Sequence, residues 1–151
     1  MEEDYGAGTV ERDQNSDGGS DTRSILSRKG GNFAGLFWDY TTPDQPESNR
    51  PFYRKLRPTT SVAPIELRLK HLRPGSYRLI IYRTGFKAND AYSQYIEWGL
   101  PKDLSADQVA TLQKLSGAQV KVKVGANGIF SRTIPMRTND VVLLKLEKIS
   151  H

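Results

Sequence analysis

Val62-Ala-Pro-Ile-Glu-Leu-Arg-Leu-Lys-His-Leu-Arg-Pro-Gly-Ser-Tyr-Arg-Leu-Ile-Ile-Tyr-Arg83 carries the pattern that decides the fold. From Val62 to Leu72 apolar and polar side chains alternate, with Ile65, Leu67 and Leu69 on one side and Glu66, Arg68 and Lys70 on the other. A period of two belongs to an extended strand with one dry and one wet face. Pro74-Gly75 marks a tight turn. Ser76 to Arg83 then reads as a second strand, returning antiparallel to the first as a hairpin.

The neighbouring segments extend this β pattern. Upstream, Ser24 to Asn32 reads as a strand entering a turn at Gly30-Gly31. Phe33 to Tyr40 is apolar on both faces, as expected of a central strand. Between Thr41 and Thr60, Pro43, Pro46, Pro51 and Pro58 exclude a helix or an interior strand and leave a long loop. After Arg83 comes an irregular excursion around Asn89-Asp90-Ala91-Tyr92, carrying Phe86, Tyr92, Tyr95 and Trp98. Rings in such number need a surface to pack on.

One helix follows, with Ser105 as N-cap, Gln108 three residues on, and Asp107 in its first turn. Val109, Leu112 and Leu115 share a face, and Gly117 ends it. Gln119–Val124, Ile129–Pro135 and Asp140–Lys148 are the last strands, and Asn127-Gly128 is a hairpin signal. The whole reads as an all-β, antiparallel β-sandwich with one short α-helix, spanning residues 24–151. Residues 1–23 are expected to be a flexible, disordered acidic leader, since so few apolar groups cannot offset the entropy of ordering.

Charge is divided along the chain. Residues 1–24 hold seven acids against Arg12 and Arg23, a net charge of −5, so the remainder carries +10 within a total of +5. Contact between leader and body is expected to be weak and salt-sensitive. No cysteine is present, which removes disulfides, thiolate metal sites and a Cys nucleophile. No apolar stretch approaches a membrane span, and no signal-peptide layout opens the chain, so a soluble protein is expected.

Paired carboxylates are the strongest catalytic chemistry the sequence offers, because cleavage of a glycosidic bond needs an acid and a nucleophile or base. Asp39, Asp90 and Glu97 are the candidates, each beside aromatic rings that can raise a carboxyl pKa. The competing readings are a strand end for Asp39, an Asx-type turn for Asp90 with Asn89, and an arginine partner for Glu97. Asp44, Glu47, Glu66, Asp103, Asp107, Asp140 and Glu147 read as solubility or capping residues. His71 and His151 join no ligand cluster, so no metal is implied, and no phosphate loop or other cofactor motif occurs. Arg50, Arg54, Lys55 and Arg57 form a basic cluster near Phe52 and Tyr53. No nucleic-acid-binding spacing accompanies it, which argues against that partner. Trp38, Trp98 and the tyrosines could instead stack on sugar rings, as in a carbohydrate-binding module.

Several segments in order resemble the C-terminal part of glycoside hydrolase family 39, the bacterial β-xylosidases. They are Ser48-Asn-Arg-Pro-Phe-Tyr53, Leu72-Arg-Pro-Gly-Ser-Tyr-Arg-Leu79, Tyr82-Arg-Thr-Gly-Phe-Lys-Ala-Asn-Asp-Ala-Tyr92, Gly99-Leu-Pro101 and Leu104-Ser-Ala-Asp-Gln108. The closing Phe130-Ser-Arg-Thr-Ile-Pro-Met and Asn139-Asp-Val-Val-Leu-Leu also look like the family's last two strands. The resemblance implies a sandwich that, in family members, packs beside a (β/α)8 barrel holding both catalytic glutamates. No barrel and no Asn-Glu-Pro acid motif occur in this chain, so no family catalytic residue maps onto it. It further implies a bacterial parent enzyme, cytoplasmic or exported. The expected role is that of an accessory module in xylan or xylo-oligosaccharide breakdown. Trp38, Phe86, Asn89, Asp90, Tyr92, Tyr95 and Trp98 are its expected docking or ligand surface. The partner is then the catalytic barrel, or a second copy through self-association of the aromatic loop, with xylo-oligosaccharide as a further ligand. A small stand-alone β-xylosidase working through Asp39, Asp90 or Glu97 is the alternative.

Overall fold

A computed structural model describes residues 23–41, 54–114 and 117–149. The expectations for the acidic leader, for most of the Pro-rich loop with Arg50, Phe52 and Tyr53, and for Leu115 and His151 lie outside the described residues. Among the described residues there are seven strands: β1 (Arg23–Lys29), β2 (Asn32–Trp38), β3 (Ser61–Leu69), β4 (Gly75–Thr84), β5 (Gly117–Val124), β6 (Phe130–Arg137) and β7 (Val141–Lys148). Two short helices interrupt them, α1 (Ala91–Glu97) and α2 (Ala106–Leu112).

The strands form two antiparallel sheets. One has the order β1-β2-β7-β4-β5, and the other pairs β3 with β6. The core lies between them. From the larger sheet come Phe33, Phe37, Tyr77, Leu79, Val142, Leu144 and Leu146; from the smaller come Leu67, Leu69, Phe130, Ile134 and Met136. Each such side chain, fully buried, contributes about 1.5–3 kcal/mol. The antiparallel sandwich expected from the alternation is therefore present.

Its wiring differs from expectation. Pro74-Gly75 does not close a hairpin: β3 pairs with β6, while β4 pairs with β5 and β7. Leu72 is buried at this crossing, and the Tyr77 hydroxyl, on a wholly buried ring, donates to the Arg73 carbonyl at 2.8 Å. Asn127-Gly128 likewise joins two sheets rather than two paired strands. Gly128, at φ +63°, sits where an added Cβ would lie 2.6 Å from the Leu72 carbonyl oxygen, and its own carbonyl accepts from the Leu72 N–H at 2.9 Å. The two crossings thus brace each other. The Arg28 guanidinium adds bonds to the carbonyls of Lys70 and His71, tying β1 to the first crossing.

β2 does lie between two strands, β1 and β7, as its two apolar faces suggest. β5 is an edge strand. Its Val120, on the core side opposite Leu79, is 48% exposed. The capping box of α2 forms as expected, with Ser105 and Gln108 bonding each other's backbone. This helix stops at Leu112, with Gln113 as C-cap, so Gly117 opens β5 instead of ending the helix.

Candidate docking surface

The excursion that leaves β4 is more ordered than its Asn-Asp-Ala-Tyr stretch suggests. Gly85 and Ala88 exchange backbone hydrogen bonds of 2.9 and 2.8 Å, which reverses the chain at once. Asp90 then caps α1. Its Oδ1 accepts from the Ser93 N–H at 3.1 Å, and its Oδ2 accepts from the Lys87 N–H at 3.2 Å and from the Ser93 hydroxyl. The irregular segment predicted from the sequence is therefore a second helix, placed by a carboxylate cap.

The remaining candidates divide by role. Asn89 donates from Nδ2 to the Arg83 carbonyl at 2.7 Å, holding the turn onto β4. Glu97 pairs with Lys87, Oε1 to Nζ 2.7 Å, in place of the arginine expected. The Lys87 ammonium also sits 5.7 Å from the Phe86 ring centre. Tyr95 donates its hydroxyl to the Pro101 carbonyl at 2.9 Å. Phe86, Tyr95 and Trp98 are half-buried, whereas Tyr92 is 43% exposed. Trp38 is half-buried at the end of β2.

Asp39 lies elsewhere, buried just past β2. Its Oδ2 accepts from the Asn139 N–H at 2.9 Å and the Thr41 hydroxyl at 3.0 Å, while its own N–H donates to the Asp140 carbonyl. Asp90 and Glu97 do line one cleft between α1 and α2, of about 350 Å³, together with Lys87, Gln94 and Thr111. Both are engaged there, Asp90 in capping and Glu97 in its ion pair. Among the described residues no three His, Cys, Asp or Glu side chains gather as a metal site would require.

Asp140 departs most from expectation. Far from a solubilising turn residue, it is wholly buried and receives Arg83 and Arg137 at the foot of the excursion. Its Oδ2 also accepts the Arg137 N–H at 3.0 Å, and Arg137 Nη2 donates to the Phe86 carbonyl at 3.1 Å. Oδ1 has no hydrogen-bond partner and faces Gly85, where an added Cβ would lie 2.0 Å away. The sequence signal for this hub was the Gly85 directly after Arg83-Thr84, together with the Asn139-Asp140 turn.

The outer face of the five-stranded sheet is the second element of the surface. Strand register places Ile25, Leu36, Leu143 and Tyr82 in one row across β1, β2, β7 and β4, with Trp38 and Val141 in the next. Ile25 is 62% and Val141 39% exposed. This apolar half lies at the end of the sheet from which the excursion departs, and Tyr40, also exposed, follows β2 there. Sequence reading singled out only Trp38 of this face, because a neighbouring row is defined by register and not by spacing along the chain.

Comparison with known proteins agrees with this architecture. No family model and no curated protein matches the chain. Among solved structures, a GH39 enzyme from Xanthomonas axonopodis pv. citri superposes with a TM-score of 0.78 at 41% identity, over 83% of this chain and 26% of that one. A monomeric β-xylosidase from Caulobacter crescentus CB15 gives a TM-score of 0.74 at 39% identity, over 84% of this chain and 26% of that one. A GH39 β-xylosidase from Caulobacter crescentus gives 0.54 at 27% identity, over 82% of this chain and 22% of that one. The chain thus spans about a quarter of the length of these enzymes. It belongs to glycoside hydrolase family 39, and corresponds to the C-terminal β-sandwich part of the family's β-xylosidases.

Proposed function

We propose that the chain is a non-catalytic accessory module of a β-xylosidase-like glycoside hydrolase, docked on the catalytic barrel and supporting its breakdown of xylan or xylo-oligosaccharides. The observation that carries this reading is the apolar half of the outer sheet face, continuous with the end where the excursion departs. Contiguous apolar side chains on an outer sheet face, with Ile25, Tyr40 and Val141 exposed, are the form of an interaction surface. The barrel is the occupant this proposal commits to, since the chain matches only a quarter of enzymes at up to 41% identity. The structural employment of Asp39, Asp90 and Glu97 supports the non-catalytic part.

The test uses the whole chain and a family 39 barrel produced without its own sandwich. The chain alone should release no product from an aryl β-xyloside, while adding it should raise the barrel's melting temperature and turnover. Turnover by the chain alone, abolished by Glu97→Gln or Asp90→Asn, would replace this reading with a stand-alone β-xylosidase. Calorimetric heat with xylo-oligosaccharide, lost in Trp98→Ala or Trp38→Ala, would instead make it a carbohydrate-binding module.

A further inference from the structure

The cleft between α1 and α2 has no part in the apolar docking face. Its volume of about 350 Å³ lies at the lower end of the range of about 300–1,000 Å³ typical of small-ligand sites. α1 and the turn before it bring Lys87, Asp90, Gln94 and Glu97 to the cleft. α2 brings Thr111 and, just past its C-cap, Lys114. The two helices are otherwise thinly packed, since α2 has no buried residue and α1 buries only Ser93.

Hydrogen-bonding capacity in the cleft is only partly used. Asp90 is committed as the cap of α1, and Lys87 and Glu97 pair with each other. The Thr111 hydroxyl donates to the Asp107 carbonyl at 2.8 Å, which leaves its oxygen able to accept. The side-chain amide of Gln94 and the ammonium of Lys114 bond to no described residue. Charges in the lining balance, two lysines against two carboxylates. An anion would meet Asp90 and Glu97 there, and a cation would meet Lys87 and Lys114. A neutral ligand bearing several hydroxyl groups avoids both conflicts. Each hydroxyl can donate to Glu97 or Thr111 and accept from Lys114, while the Gln94 amide serves either need.

We infer that the α1–α2 cleft binds a neutral sugar, bridged from Gln94 on α1 to Thr111 and Lys114 on α2. Among the described residues no aromatic ring lines the cleft, so stacking adds nothing and the affinity is millimolar. A ligand that bridges two thinly packed helices restrains both. Tyr92, on the same helix as Gln94 and part of the proposed docking surface, is restrained with them. The inference rests on the accessory-module reading only for the choice of sugar.

Xylobiose titrated into the full chain, followed by amide chemical shifts, is the test. Saturable shifts should centre on Gln94, Thr111 and Lys114, the Gln94 side-chain amide included. Hydrogen exchange should slow across Ala91–Glu97 and Ala106–Leu112. Gln94→Ala and Lys114→Ala should each weaken xylobiose about two- to tenfold, the loss of one hydrogen bond, with the melting temperature unchanged. Trp38→Ala should leave the shifts as they are, and glucuronate at equal ionic strength should bind more weakly than xylobiose. No saturable shift in the millimolar range, shifts centred on Trp38, or tighter binding of glucuronate would each overturn the inference. The titration needs no barrel and the docking test needs no sugar, so the two readings fail separately. A chain that docks without these shifts loses this site alone, and one that shifts without docking keeps it.

Discussion

The buried carboxylate of Asp140 receives the guanidinium of Arg83 where β4 gives way to the excursion. This pair joins the start of β7 to the end of β4, and Arg137 extends it to the Phe86 carbonyl. The excursion is thereby anchored to the sandwich by charge at its foot.

Removing Arg83 leaves the buried Asp140 carboxylate with Arg137 as its one cationic partner among the described residues. Arg83→Met should therefore destabilise the fold by less than the about 3–5 kcal/mol of a fully stranded buried charge, read as a lower denaturation midpoint with unchanged slope. Gly85→Ala tests the same site sterically. Its new Cβ would collide with Asp140 Oδ1, so a loss comparable to that of a disrupted core position is expected.

Asp90 separates structure from catalysis. Asp90→Ala removes the cap of α1 and should cost about 0.5–2 kcal/mol, with faster hydrogen exchange confined to Ala91–Glu97. Asp90→Asn keeps an accepting oxygen and should lose much less. If the carboxylate were instead a catalytic group, the two variants would be equally inactive whatever their stability.

The location of the core can be checked by contrast. Leu144→Ala, at a wholly buried position between the sheets, should cost about 2–5 kcal/mol. Val109→Ala on α2, a helix with no buried residue, should change stability by less than about 0.5 kcal/mol. Calorimetric unfolding of both variants would show whether the sandwich or the helical excursion supports the fold.

Ile25→Asp and Tyr92→Ala address docking. Both side chains are exposed, so the isolated chain should keep its melting temperature. Binding to a family 39 barrel should nevertheless weaken by about tenfold or more if these positions lie near the centre of the interface. Unchanged affinity in both would place the barrel on another surface.

Local pattern was legible wherever a residue's neighbours along the chain decide its environment. Ile65, Leu67 and Leu69 against Glu66 and Arg68 announced β3, and Ser105 with Gln108 announced the capping box of α2. The helix α1 was hidden because Asn89-Asp90 has the composition of a turn. The same carboxylate serves equally well as an N-cap, and Tyr92, Tyr95 and Ile96 have the helical spacing that would have revealed it. Asp140 was misread for a different reason: a charge is read as exposed unless its partners are seen, and Arg83 lies 57 residues away.

By itself the sequence determined an antiparallel β protein of family 39 type, with strand positions, faces and one cap, because these follow from periodicity, turn chemistry and ordered motifs. Only the tertiary structure decided which strands pair. Pro74-Gly75 and Asn127-Gly128 say that the chain turns, but not that it crosses to the other sheet. Register, a property of partners distant in sequence, then gathered the apolar half of the outer face, and brought Arg83 to Asp140. Burial of the core is shared by many pairings; hydrogen-bond register and the satisfaction of a buried charge select one.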